Sequence, residues 1–508
     1  MTSHGDEITE CTPLLSDAPP SNQQRDWKKQ VLPQWTWKKW RVILVVAVTL
    51  LFISFGDSLG TAPQVSLFEE VACQNYKKSL GLVGVNGSAT LDGDICKSEP
   101  VQSEVAFVIG WKNTLDIIPS VALSLPYGVV ADKIGRRPVV IISLMAIGLS
   151  EILPRLVCWF HWPLRLVWLT GLVRAPGGGD IVATTVLLVI VSDIFEADER
   201  ATALFRLNSL GIAAQIIATP ISASTMNIDP WIPYFLGLVL TIASATISFF
   251  LPETLGEAKA KRQMTEETED EAIPESLQPS ATAKDSVFNT IITQAQQFIS
   301  STRHMWRNSR VLVLLAVAFA GSMEKSSLFL LIQYASAKFS WSISEASYLI
   351  SVRGCMTLAA YLFLVPFLST YLTRSLHYSA VEKDLYISRA SAVFGVVGYF
   401  LLFTAPTPAL LIFGTLLKSL SLPFLIAVMS VATAFVSPEH VATLYSAMSV
   451  TQSLGTIVAG PTFAKLYAVG MRLGLGWSGL PFAVGSLIFI VVLIPVMYIR
   501  PARLGPSN

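Results

Sequence analysis

A chain of 508 residues that is 52% hydrophobic and only 14% charged, with a mean hydropathy of +0.56, holds more apolar side chain than a soluble core can bury, so most of it must be dissolved in lipid. A formal net charge of +1, with 36 Lys and Arg scattered between apolar blocks, excludes the one-sided basic stripe of a nucleic-acid partner. Five dispersed histidines form no metal-ligand spacing, and no glycine-rich loop precedes a Lys-Ser/Thr pair, so neither a metal, a cofactor nor enzyme chemistry is expected.

Residues 1–40 form a polar, initially acidic tail without the short apolar stretch and cleavage site of a removable leader, which leaves targeting to the first membrane helix. Within it, Glu10-Cys-Thr-Pro-Leu14-Leu15 fits an acidic dileucine sorting signal for a vacuolar membrane. Such six-residue patterns arise often by chance, and the plasma membrane is the preferred location. Trp27, Trp35, Trp37 and Trp40 crowd the start of the first helix, where amphipathic rings favour the headgroup region.

With about 20 residues needed to span a bilayer, the apolar segments number twelve. They start near Arg41, Glu104, Val139, Arg165, Thr202, Trp231, Arg310, Ala346, Ile387, Ala409, Ala442 and Pro481. An even number puts both termini on one side. Lys28, Lys29, Lys38, Lys39 and Arg41 precede the first segment, and Lys133, Arg136, Arg137, Lys259, Lys261, Arg262, Arg303, Arg307, Arg374, Lys383, Arg500 and Arg503 fall on the same side in the alternation, which makes that side cytoplasmic. The expected organisation is a helical bundle at 41–252, a cytoplasmic linker at 253–309, a second bundle at 310–500 and a short tail at 501–508. The linker carries the acidic run Glu266 to Glu275 with Pro274 and Pro279, too polar to fold alone. Its last part, with Val287, Phe288, Ile291, Ile292, Ala295, Phe298 and Ile299 at helical spacing, reads as an interfacial amphipathic helix.

The loop between the first two segments lies outside in this topology and carries Asn86-Gly87-Ser88, an acceptor for N-glycosylation. Cys73 and Cys96 share that loop, and a disulfide there would staple it in an oxidising compartment. Cys158 is a rival partner, Cys11 is cytoplasmic, and Cys355 is expected as a small buried apolar residue within the membrane.

Gly128-Val-Val-Ala-Asp132-Lys133-Ile-Gly135-Arg136-Arg137-Pro138 ends one apolar segment and begins the next with four charges between them. Its glycines suit a tight turn with close backbone packing, and Asp132 is placed to face the N-terminus of the following helix. The run closely resembles the turn signature between the second and third helices of the major facilitator superfamily, a family of secondary transporters. The resemblance implies an all-α membrane protein with twelve transmembrane helices in two six-helix bundles around a central cavity. It also implies small-molecule and proton partners, a lipid bilayer around a functional monomer, and a gating role for Gly128, Asp132, Lys133, Gly135, Arg136 and Arg137. Asp132 and Arg136 are expected to hold the halves closed on the cytoplasmic side when the cavity opens outward.

Other residues fit the same resemblance. Glu199-Arg-Ala-Thr202-Ala-Leu204-Phe205 is matched by Glu439-His-Val-Ala442-Thr-Leu444-Tyr445, and Pro220 by Pro461, as a six-plus-six duplication would leave them. Pro252-Glu253-Thr254 looks like a sequence common at the end of the sixth helix in fungal members. The second copy of the turn signature, expected near Pro366 to Arg374, lacks its Gly and Asp, which speaks against a sugar porter. Arg174-Ala-Pro-Gly177-Gly178-Gly179-Asp180 resembles the fourth-helix arginine motif of proton-coupled members, with Pro176 where glutamine is usual. Of the fifth-helix glycine motif of drug/proton antiporters, only Gly211 and Pro220 remain. The whole is similar to fungal facilitator proteins often sited beside secondary-metabolite genes.

Function is expected among intramembrane charges, each costing about 2.5–3.5 kcal/mol at helix centre even on a lenient insertion scale. In the family's architecture the first, fourth, seventh and tenth helices line the cavity, and here they carry Asp57, Arg174 with Asp180, Glu324 with Lys325, and Lys418. Arg174, Glu324, Lys418, Asp116 and Arg353 fall in the middle half of the bilayer, and Asp57 sits nearer the outer face. Lys112 and Asp116, four apart, are placed to neutralise one another. Arg174 and Glu324, at similar depth in opposite halves, are the candidates for substrate or proton coupling, the alternative being an ion pair of Arg174 with Asp116 or Glu324 that ties the halves together. Three readings follow: a proton-linked exporter of a small organic molecule; an importer of an organic anion or vitamin-like nutrient, using Arg174, Arg353 and Lys418; and a non-transporting membrane sensor.

Overall fold

The computed structural model describes residues 37–82, 95–195, 197–256, 308–436 and 440–499. Asn86, Cys11, the acidic run and amphipathic stretch of the linker, and both terminal tails lie outside the described residues, as does the side chain of Lys325. The described chain is helical, with no strand. The first half comprises α1 (Trp37–Ser79), α2 (Glu99–Ile134), α3 (Arg136–Trp159), α4 (Leu164–Ile194), α5 (Ala197–Met226) and α6 (Trp231–Ser248). The second comprises α7 (309–339), α8 (Ile343–Arg374), α9 (Ala380–Thr404), α10 (Pro408–Thr433), α11 (Val441–Arg472) and α12 (Leu480–Tyr498).

Ten of these helices are long and apolar enough to cross a membrane among the described residues. The two outside that set are informative. In α7 the regular helix is interrupted by a 3₁₀ turn at Met323–Ser326, and α11 is broken up chemically by Ser449, Thr451, Gln452, Ser453 and Thr456. Most sequence-placed starts fall within a few residues of a helix. The largest difference in start is at α9, which begins at Ala380 behind a Ser379/Glu382 capping box that gives acceptors to the orphan N–H groups of its first turn, while α1, beginning at Trp37, runs as far as Ser79.

The long α1 revises the outer loop. Cys73 lies inside α1, not in a loop, and is bonded to Cys96, which sits just ahead of α2. Cys158 is free and buried, whereas Cys355 is exposed, against its expected burial.

The halves are joined at the disulfide end. One apolar core runs from Phe68, Val71, Val105 and Ile109 of the first half into Phe329, Tyr334, Phe463 and Tyr467 of the second. A separate core around Val46, Val140, Leu187, Phe195 and Leu207 belongs to the first half alone, at the end carrying the turn signature. Where α2 crosses α11, a Cβ on Gly110 would meet the carbonyl oxygen of Gly460 at 2.7 Å, and the reverse substitution would meet that of Gly110 at 2.6 Å. Glycines are therefore the condition for this contact between halves. Thr114 Oγ1 donates to the Ile457 carbonyl at 3.0 Å beside it, and Lys97 Nζ reaches Ser336 Oγ at 2.6 Å.

The turn signature is built differently from its expected form. Gly135 has φ +126° and meets the Glu253 carboxylate where a Cβ would stand, so both its dihedral and its packing require glycine. Gly128, by contrast, faces open space. It is Glu253, not Asp132, that caps α3, accepting from the backbone N–H of Arg136 at 3.0 Å and of Arg137 at 3.2 Å. A carboxylate there meets the positive end of the helix dipole. Asp132 instead pairs with Arg136 at 3.0 Å, and Arg136 also binds Asp193 at 2.7 Å. These partners all lie in the first half, so Asp132 and Arg136 do not bridge the halves in this structure.

Candidate functional site

A cavity of about 530 Å³ lies between the halves and takes most of its lining from the first. Among the described residues, four carboxylates (Asp57, Asp116, Glu151, Asp180) and three cations (Lys112, Arg155, Arg174) line it. The second half contributes Ser326, Phe329 and Thr456.

The cations are all engaged. Arg174, at the end of the first α-helical stretch of α4, binds Glu151 and Asp180 at 2.7 Å each, stands 4.0 Å from Asp116, and donates Nε to Ser150 Oγ at 2.8 Å. Lys112 pairs with Asp116 at 3.0 Å, and Thr170 donates to the other oxygen of that carboxylate at 2.6 Å. Arg155 pairs with Glu151 at 3.0 Å, donates to the Tyr234 carbonyl, and stacks over the Tyr234 ring at 3.9 Å. Such a network satisfies charges that would each be costly alone at this depth.

Local backbone makes the network possible. Gly178 and Gly179 both adopt φ +70°, a conformation that side chains disfavour, and break α4 one 3₁₀ turn after Arg174. Gly177 sits against α3, where a Cβ would meet Ala146 and the Ile142 carbonyl, and Ser143 donates to the Gly177 carbonyl at 2.6 Å. The triple glycine thus does two jobs: it turns the helix at the arginine and lets α3 bring Glu151 to it. Glu151 and Arg155, four apart in the middle of the third apolar segment, are the functional residues that reading the first, fourth, seventh and tenth helices missed; their intramembrane charge was itself the signal.

Asp57 is the exception. It is exposed to the cavity, and its carboxylate has no ion-pair or hydrogen-bond partner among the described residues. Around it, a Cβ on Gly56 would meet the Gly237 carbonyl at 2.7 Å, which shows how closely α1 and α6 cross.

The second half holds its charges apart from this cavity. Glu324, in the 3₁₀ turn of α7, pairs with Lys418 at 2.6 Å, and both side chains are less than a tenth exposed. Ser421 donates to Glu324 at 3.3 Å, and Lys418 Nζ lies 5.4 Å from the centre of the Tyr399 ring. Gly398 lets the α10 backbone come close at Lys418, where a Cβ would meet the Lys418 N at 2.5 Å. Arg353 on α8 has a buried Nε without a hydrogen bond among the described residues. Glu324, Lys418 and Arg353 do not line the cavity. Arg174 and Glu324 therefore do not meet across the halves, because each is already committed within its own. In α4, α7 and α10 the regular helix breaks beside the charge it carries, at Gly178, at Met323–Ser326 and between Ser419 and Phe424.

Comparison with known proteins fits this architecture. The model of the Major Facilitator Superfamily matches residues 100–460. The chain is 32% identical to the MFS-type transporter avaK of Aspergillus versicolor, over 91% of this chain and 93% of that one. It is 32% identical to the MFS efflux pump atnC of Emericella nidulans, over 88% and 85% respectively. Among solved structures, the nucleoside transporter NupG superposes with a TM-score of 0.61 at 15% identity, covering 92% of this chain and all of that one. The D-xylose-proton symporter also gives 0.61, at 12% identity over 92% and 99%. At such identities these two speak for the fold alone.

Proposed function

The chain belongs to the major facilitator superfamily, and from that premise we propose that it is a secondary active exporter of a small organic molecule, driven by proton entry and coupled at Asp57. The observation that carries the proposal is the charge pattern of the cavity among the described residues, where each cation has a carboxylate partner and one carboxylate is left over. A carboxylate with no fixed partner can exchange a proton for a ligand as the cavity alternates between the two faces. The sequence relatives named as efflux pumps support export. The importer reading loses two of its three cations, since Arg174 and Lys418 are neutralised by Glu151, Asp180 and Glu324. In this reading the chain acts as a monomer in the plasma membrane, with twelve crossing helices, cytoplasmic termini and linker, and Asn86 outside.

Metabolite profiling of medium and cells with and without the gene would identify the substrate. Inside-out vesicles given an acid lumen should then accumulate it, and should stop when the gradient is collapsed. Accumulation indifferent to the gradient, or a nutrient requirement in place of a lost export product, would overturn the proposal.

A further inference from the structure

Asp57, Gly60, Thr61 and Gln64 fall at i, i+3, i+4 and i+7 on α1, one stripe of a helix, and all four line the cavity. The stripe faces a fixed wall. A Cβ on Gly60 would stand 3.7 Å from Arg155 Nη2 and 3.9 Å from Tyr234 Cδ2, so this glycine leaves a recess against the stacked Arg155 and Tyr234. The guanidinium in that wall is already held by Glu151 and the Tyr234 carbonyl, which leaves it little charge to offer a ligand. Three polar groups around the recess lack partners among the described residues. They are the Asp57 carboxylate, the buried Gln64 Nε2 and the buried Tyr234 hydroxyl.

Orphaned donors of this kind cost about 1–3 kcal/mol each when nothing binds them, and an unpaired carboxylate repels a ligand anion. We propose that this recess is the polar subsite of the substrate, and that it takes an organic monocation: a protonated amine against Asp57, with a carbonyl or hydroxyl oxygen one to two helical turns away accepting from Gln64 or Tyr234. The inference rests on the transport reading above and narrows it to a substrate class. The charges balance in one exchange. Asp57 gives up its proton as the ammonium N–H settles on the carboxylate, and takes a proton back when the cation leaves, so one positive charge moves each way and the exchange is electroneutral. The cavity, at about 530 Å³, is of the size that encloses a drug-sized molecule.

The test is binding to the purified full-length protein in nanodiscs, by calorimetry, with three probes on one skeleton: N-(4-aminobutyl)benzamide, N-(3-carboxypropyl)benzamide and N-butylbenzamide. The amine should bind about tenfold or more tightly than the other two, and Asp57→Asn should remove that preference. Gln64→Leu or Tyr234→Phe should weaken the amine by about two- to tenfold, with thermal unfolding unchanged to show that the variants are folded. No preference for the amine over the acid and the neutral probe, including no binding of any, overturns the inference. Failure here is separable from failure of the transport reading. Gradient-driven accumulation of a neutral or anionic substrate would leave the exporter standing and remove this subsite, whereas absence of any flux would remove the exporter.

Discussion

The two halves handle buried charge in opposite ways. In the first half the charged groups surround a cavity, and a network of Arg174, Glu151, Asp180, Asp116, Lys112 and Arg155 leaves Asp57 unmatched at its edge. In the second, Glu324, within a 3₁₀ turn, and Lys418 close on each other and add nothing to the cavity wall. Pairing alone therefore does not mark function, since both halves contain paired ions at membrane depth. What distinguishes them is where the surplus lies: among the described residues Arg353 is left over in the second half away from the cavity, whereas the lone Asp57 carboxylate stands beside the cavity, where it can change its partner.

Breaking a pair in either half should cost stability first. Arg174→Met leaves Glu151 and Asp180 without their shared cation, and a loss of about 3–5 kcal/mol is expected. Thermal unfolding in detergent should show it as a large fall in midpoint; an unchanged midpoint would mean that the network carries no structural load. Glu324→Gln strands Lys418 and should cost a comparable amount, which Lys418→Met in the same chain should largely restore, because removing both charges removes the desolvation problem. If the double variant is no more stable than the single one, the pair is not the closed unit described above. The smallest effect is expected away from both clusters. Glu253→Gln removes the charge capping α3 and should lower stability by about 0.5–2 kcal/mol, leaving the affinity of the cavity for substrate unaltered in equilibrium binding.

How much of this was legible depends on how far apart the partners lie in sequence. The apolar segments, the turn at Gly135 and the spacing of Lys112 and Asp116 are local patterns, and each has a counterpart in the structure. Glu151 and Arg155 were legible too, as two opposite charges four apart in an apolar segment, but a family scheme that looked only at other helices passed over them. The partnership of Glu324 with Lys418 was not legible, since 94 residues separate them and no periodicity links α7 to α10. Nor was the role of Glu253, which reads as part of a short motif and becomes a helix cap only once α6 returns beside the start of α3. The alternative of an Arg174–Glu324 ion pair across the halves failed for the same reason: similar depth does not decide which neighbour reaches the charge first.

The central claim, that coupling resides in the unmatched carboxylate and not in the paired ones, is tested most directly by flux. Proteoliposomes reconstituted with parent, Asp57→Asn or Glu324→Gln protein, loaded with the identified substrate, would be followed with and without an imposed pH gradient. Asp57→Asn should lose acceleration by the gradient while retaining measurable counterflow, and whatever Glu324→Gln protein remains folded should respond to the gradient like the parent. The reverse pattern, a gradient response kept by Asp57→Asn and lost in folded Glu324→Gln, would contradict it.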